Sequence, residues 1–150
     1  MQTFLPYPSF GRSAVVLDRA RLGKQRVEAI QILRTNLGLS TDGWRHHPAV
    51  RMWKGYESAL WHYTSIMCLE WEHRGYRSER CNEHLDNIAA LLDLDAQHGV
   101  EMPWWLGTEA LHLSHRQNLV RKMPEHYGSL WPDVEPHDGY VWPSTMELVR

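Results

Sequence analysis

The stretch Leu17 to Leu37, LDRARLGKQRVEAIQILRTNL, decides the fold because its residues sort onto two faces at about 100° per residue. Arg21, Lys24, Gln25 and Glu28 recur at i, i+3, i+4 and i+7 and make one polar stripe. Leu22, Ala29, Ile30, Leu33 and Leu37 gather on the opposite side, the face to bury. The spacing predicts a long helix closed by Gly38 as its C′ residue. Arg26 projects between Leu22 and Ile30, where a guanidinium needs a carboxylate or carbonyl partner, so a structural pair inside the bundle is expected. Glu28 carries two readings. It is an i,i+4 partner of Lys24 on a solvated helix, or a carboxylate in a cationic pocket that stabilises charge at a sugar or moves a proton.

Before this helix, Pro6, Pro8 and Gly11 stand among Phe4, Leu5, Tyr7 and Phe10, so residues 1–12 read as an extended apolar segment laid on the body. Ser13 is placed to cap a short turn leading into the helix. After it, the loop LSTDGWRHHP holds the turn signal Asp42-Gly43 and brings Trp44, Arg45, His46 and His47 together. Pro48 opens a second helix, about 49–74, broken at Gly55 and closed by Gly75, with Val50, Trp53, Leu60, Trp61, Ile66, Met67 and Trp71 on its buried side. A third helix is expected from Ser78 to His98, stopped by Gly99, and a fourth from Thr108-Glu109 to about Lys122. Pro124, Pro132, Pro136 and Pro143 then punctuate an irregular tail anchored by Tyr127, Leu130, Trp131, Tyr140 and Trp142. No alternating strand pattern appears, so the expected fold is all-α: one domain over 1–150, about four main helices and an aromatic-rich C-terminal tail.

The 150 residues suffice for one core, and 43% hydrophobic with 23% charged residues exclude a disordered chain. No stretch is long and apolar enough for a membrane span, nor is there a signal peptide, so no membrane contact and a cytoplasmic location are expected. Cys68 and Cys81, the only cysteines, suit a reducing compartment and read as structural or surface thiols. The charge is unevenly placed: residues 1–80 hold 12 Lys and Arg against 7 Asp and Glu, and residues 81–150 hold 4 against 11. A basic face built by the first half follows, unless the two halves neutralise one another across their interface.

The ten histidines raise a metal reading, with His112 and His115 at i, i+3, yet no HExxH or Cys/His ligand spacing occurs and no metal or other cofactor is expected. Trp44 beside Arg45 is the kind of pair that stacks on an unpaired base and grips its phosphate. No Walker loop, GxGxxG or nucleophile elbow is present, which removes the commonest nucleotide and acyl-transfer chemistries.

At Leu22-Gly23-Lys24-Gln25-Arg26-Val27-Glu28, and again where the acidic, apolar stretch 66–76 ends in Arg74-Gly75-Tyr76, the chain resembles the pyrimidine dimer DNA glycosylase family of the phage endonuclease V type. The wider likeness, over nearly the full length, is to bacterial proteins that open MQTFLPYP. The resemblance implies an all-α monomer that flips a nucleotide out of duplex DNA, attacks the deoxyribose C1′ with its N-terminal α-amine and cleaves the strand through an imine. It makes Glu28 the catalytic carboxylate, with Leu22 matching the leucine six residues before it. Arg21, Lys24 and Gln25 become candidates for phosphate or base contact, joined by Trp44 and Arg45, and His46 or His47 lies where the family has a helpful histidine. Gln2 is too large for ordinary methionine removal, so either Met1 itself supplies the amine or water is the nucleophile. Val27 stands where dimer-cutting enzymes carry an arginine. The expected function is thus excision of a damaged or modified base from DNA, possibly with AP lyase activity, the alternative being a non-catalytic nucleic-acid or nucleotide-binding helical protein.

Overall fold

The computed structural model describes residues 1–41, 43–94 and 99–147, and these are all-helical, without a strand. The helices are α1 (Phe10–Val16), α2 (Arg19–Asn36), α3 (Pro48–Arg51), α4 (Glu57–His73), α5 (Glu79–Leu92), α6 (Glu109–Lys122), α7 (Pro124–Leu130) and α8 (Pro143–Glu147), with a 3₁₀ turn over Gly43–His46. The four long ones, α2, α4, α5 and α6, are the main helices expected. Asp42, and residues 95–98 of the expected third helix, lie outside the described residues.

Local chemistry sets the boundaries. The Asp18 carboxylate accepts the Arg21 N–H at 3.3 Å and caps α2, and Gly38 takes φ +74° just past its end. His47 caps α3 through Nδ1, which accepts the Ala49 N–H at 3.0 Å, with Pro48 at the first helical position. Gly55 (φ +88°) separates α3 from α4 and Gly75 (φ +93°) follows the end of α4, as the sequence predicts.

Helix α2 packs mainly on α4, and at the crossing a Cβ on Gly23 would stand 3.2 Å from the Trp71 ring, closer than ordinary contact. The core between the helices is filled by Trp53, Trp105, Tyr63 and Tyr127, all fully buried. Trp53 and Trp105 meet edge to face at 5.0 Å, and each indole N–H has an oxygen partner, Thr3 Oγ1 and the Met52 carbonyl, both at 3.0 Å. Burying a large apolar side chain fully is worth about 1.5–3 kcal/mol, so this aromatic centre carries much of the stability.

Four expectations change. A helix begins at Phe10, within the stretch expected to be extended, because the prolines end at Pro8 and the Ser9 hydroxyl caps α1 by accepting the Arg12 N–H at 3.2 Å. Ser13 is buried instead, its hydroxyl donating to the Tyr7 carbonyl at 3.0 Å. Helix α5 stops at Leu92, where Asp93 turns left-handed at φ +51°. The tail contains α7, started by Pro124 with Glu125 in its first turn, and the short α8.

Candidate active site

The segment ahead of α1 runs without helix and has no strand beside it, although Gln2 to Pro6 are buried. Buried backbone groups must be paired, and here side chains from three helices do it. Gln25 Oε1 on α2 accepts the Phe4 N–H at 2.8 Å. The Tyr63 hydroxyl on α4 lies 2.9 Å from both the Phe4 carbonyl and Gln25 Oε1. On α6, His115 Nδ1 accepts the Leu5 N–H at 2.8 Å, His112 Nδ1 donates to the Leu5 carbonyl at 2.8 Å, and Arg116 donates to the Pro6 carbonyl at 2.7 Å. Burial, seconded by His112, pushes the His115 pKa down to about 3, which keeps Nδ1 an acceptor.

This lattice delivers the start of the chain onto α2. The Gln2 backbone N–H donates to Glu28 Oε2 at 3.2 Å. Covalent geometry holds the Met1 α-amine within about 3.7 Å of that amide nitrogen, and so within about 7 Å of the carboxylate. Met1, Gln2, Glu28 and Tyr140 line a cavity of about 400 Å³, with Arg21, Lys24 and Lys122 supplying three cations. Partial burial depresses the Lys122 pKa, and the charges of Arg121, Arg21 and Lys24 add to the effect while Asp138 opposes it. The cavity is therefore electropositive, with one carboxylate and one amine at its wall. Gln2 Nε2, buried there, has no hydrogen-bond partner among the described residues, its Oε1 being taken by the Thr3 N–H at 2.9 Å.

His47 lies within reach of the same pair. Burial lowers its pKa, the N-terminal ammonium lowers it further, and the Glu28 charge opposes both. Its ring also meets Trp44 edge to face at 5.7 Å and Trp142 at 6.2 Å.

Of the residues singled out in the sequence, Met1, Arg21, Lys24 and Glu28 are thus brought together around one cavity, with His47 beside it. Arg21 is also ion-paired to Asp18 at 3.1 Å. Gln25 borders the cavity too, yet it is buried with its carbonyl oxygen engaged, so the solvated stripe expected of α2 is interrupted at this residue. Trp44, Arg45 and His46 sit exposed on the 3₁₀ turn and do not line the cavity, and Arg45 Nε donates to His46 Nε2 at 3.1 Å. Arg26 finds neither carboxylate nor carbonyl: it stacks 4.2 Å over Trp71 and donates to Ser78 Oγ at 3.2 Å. His112 and His115 are holders of Leu5, and no group of three His, Cys, Asp or Glu among the described residues is arranged to take a metal. Lys122, Tyr140 and Gln2 were not expected at the site.

Arg74-Gly75-Tyr76 acts at a distance from the cavity. Arg74 Nη2 donates to the carbonyls of Ala14 and Val15 at 3.1 Å each, and Nε pairs with Glu70 at 2.9 Å, locking the end of α1 to the end of α4.

The family model described as pyrimidine dimer DNA glycosylase matches residues 1–83, more than half of the chain. The chain belongs to the pyrimidine dimer DNA glycosylase family. No curated protein and no solved structure matches it. For this glycosylase family member, the match takes in the N-terminal segment, Glu28, His47 and Arg74-Gly75-Tyr76, whereas Lys122 and Tyr140 lie beyond it. The family is one of DNA repair, with DNA as substrate. None of the described helices is long and apolar enough to cross a membrane.

Proposed function

We propose that the protein excises a damaged base from duplex DNA, with the Met1 α-amine as nucleophile and Glu28 as the catalytic carboxylate. The observation that carries this reading is the Gln2 N–H to Glu28 hydrogen bond, which seats the amine beside the carboxylate at a cavity with three cations. C1′ is hidden in the stacked duplex, so the target nucleotide must leave the stack to reach the cavity. The amine lone pair attacks C1′, the glycosidic bond breaks, and its electron pair leaves with the base. Glu28 stabilises the positive charge that develops on the sugar and takes the proton released by the amine. The resulting imine permits loss of a C2′ proton and departure of the 3′ phosphate, which is the AP lyase step.

Arg21, Lys24 and Lys122 neutralise the phosphates flanking the flipped nucleotide. Gln2 Nε2, an unmatched buried donor, is available to an acceptor on the base or sugar. Trp44 and Arg45, exposed beside His47, extend the DNA-facing surface outward from the cavity. Val27, 56% exposed next to Glu28, brings no charge to the lesion, so selectivity is assigned to the cavity wall.

Borohydride reduction during incubation with lesion-bearing duplexes tests the reading. A protein–DNA adduct that maps to Met1 is the expected result. Base release without an adduct would transfer the attack to water, and neither release nor adduct from any lesion would leave a DNA-binding protein without this chemistry.

A further inference from the structure

Two thiols meet on the far side of α2 from the cavity just described. Cys81 lies in the first turn of α5, half-buried, on the wall of a separate cavity of about 320 Å³ bordered by Val27, Ile30, Arg34, Arg80 and His84. Cys68, buried on α4, shares a hydrogen bond with it. Arg26 Nη1 donates to Cys81 Sγ at 3.5 Å, while Arg26 Nε is buried with no partner among the described residues. We propose that Cys81 and Cys68 form a peroxide-sensitive pair, in which Cys81 is oxidised by hydrogen peroxide to a sulfenic acid and Cys68 resolves it to a disulfide joining α4 and α5.

The surroundings assign the two roles. The shared hydrogen bond from Cys68 draws the Cys81 thiol toward thiolate, and the charges of Arg26 and Arg80 reinforce it. The same bond, with burial, holds Cys68 protonated as the donor. Cys81 also faces a cavity that admits a small oxidant, and Cys68 does not border it. The Cys81 thiolate attacks one peroxide oxygen, the S–O bond forms, the O–O bond breaks, and hydroxide departs as water after taking a proton. Sulfur is oxidised and peroxide reduced. Cys68 then attacks the sulfenic sulfur, its proton leaves with the hydroxyl as a second water, and the S–S bond forms. The unpartnered Arg26 Nε–H stands beside the reacting sulfur, where a sulfenate oxygen would accept it.

The test uses the full chain, reduced and then treated with stoichiometric hydrogen peroxide. Peptide mass spectrometry after thiol blocking should show a 68–81 linked pair lighter by two hydrogens. The C68S variant should instead accumulate a dimedone adduct at Cys81, and in C81S Cys68 should stay a free thiol. Replacing Arg26 by Gln should slow Cys81 oxidation by about fivefold or more as the thiolate loses its cation. Two thiols that remain fully alkylatable in the peroxide-treated folded wild type, or a C68S protein without a Cys81 adduct, would overturn the assignment.

Discussion

The Glu28 carboxylate accepts the backbone N–H of Gln2 at 3.2 Å, across 26 positions of sequence, and thereby ties the start of the chain to the middle of α2. Replacing Glu28 by Gln keeps an oxygen for that N–H and removes the charge. In single-turnover assays on a substrate duplex, E28Q should lose about 100-fold or more in excision rate while binding DNA within a few-fold of wild type. A variant that keeps its rate would return Glu28 to the part of a structural partner.

Lys122 comes from the end of α6, nearly a hundred positions after α2, and joins Arg21 and Lys24 at the cavity. If it neutralises one phosphate, K122A weakens binding similarly for all sequences and lowers the slope of log K against log salt by about 0.9. Fluorescence anisotropy over a salt series measures this, and an unchanged slope would remove Lys122 from the interface.

Gln25 gives its carbonyl oxygen to the Phe4 N–H in a buried setting. Alanine there leaves that N–H without an acceptor, a loss of about 1–3 kcal/mol measurable by urea unfolding. The same variant should lose activity beyond its loss of stability, because it loosens the segment that carries the amine.

The pH dependence of stability has a definite sign. An unfolded histidine takes up a proton near pH 6.5, whereas His115 in the folded chain resists until about pH 3. The unfolded state therefore binds more protons in between. The stability this contributes is complete above pH 6.5 and is lost as pH falls toward 3, by up to about 1.4 kcal/mol per unit. His47 and His112 shift in the same direction, chiefly through burial. Urea midpoints between about pH 7 and pH 4 should fall in wild type and fall less steeply in H115N, whose side-chain oxygen can still accept the Leu5 N–H.

Much of the helical frame is legible in the sequence because single residues punctuate it: Asp18 and Gly38 around α2, Pro48, Gly55 and Gly75 around α3 and α4. What periodicity misses is burial on a second side of the same helix. Gln25 falls on the polar stripe of α2, yet the N-terminal segment covers it there. His112 and His115 have the spacing of a ligand pair and hold the backbone of Leu5 instead, a use with no local signature. Lys122 and Tyr140 reach the cavity by tertiary packing alone. The gathering of Met1, Arg21, Lys24 and Glu28 follows from the resemblance at Leu22–Glu28, which single-helix geometry left undecided between a pocket and a solvated ion pair.

The side chains that read the backbone of Gln2, Phe4 and Leu5 do so one position at a time, each from a fixed place on a different helix. Substitution is compatible with such a lattice, but a change of length is not. Inserting one residue between Gln2 and Leu5 would carry each N–H about 3.3 Å past its acceptor and push the amine off Glu28 by the same step. Deleting one would draw the amine back into the protein. The number of residues between Met1 and Leu5 is therefore as much a part of the site as Glu28 itself.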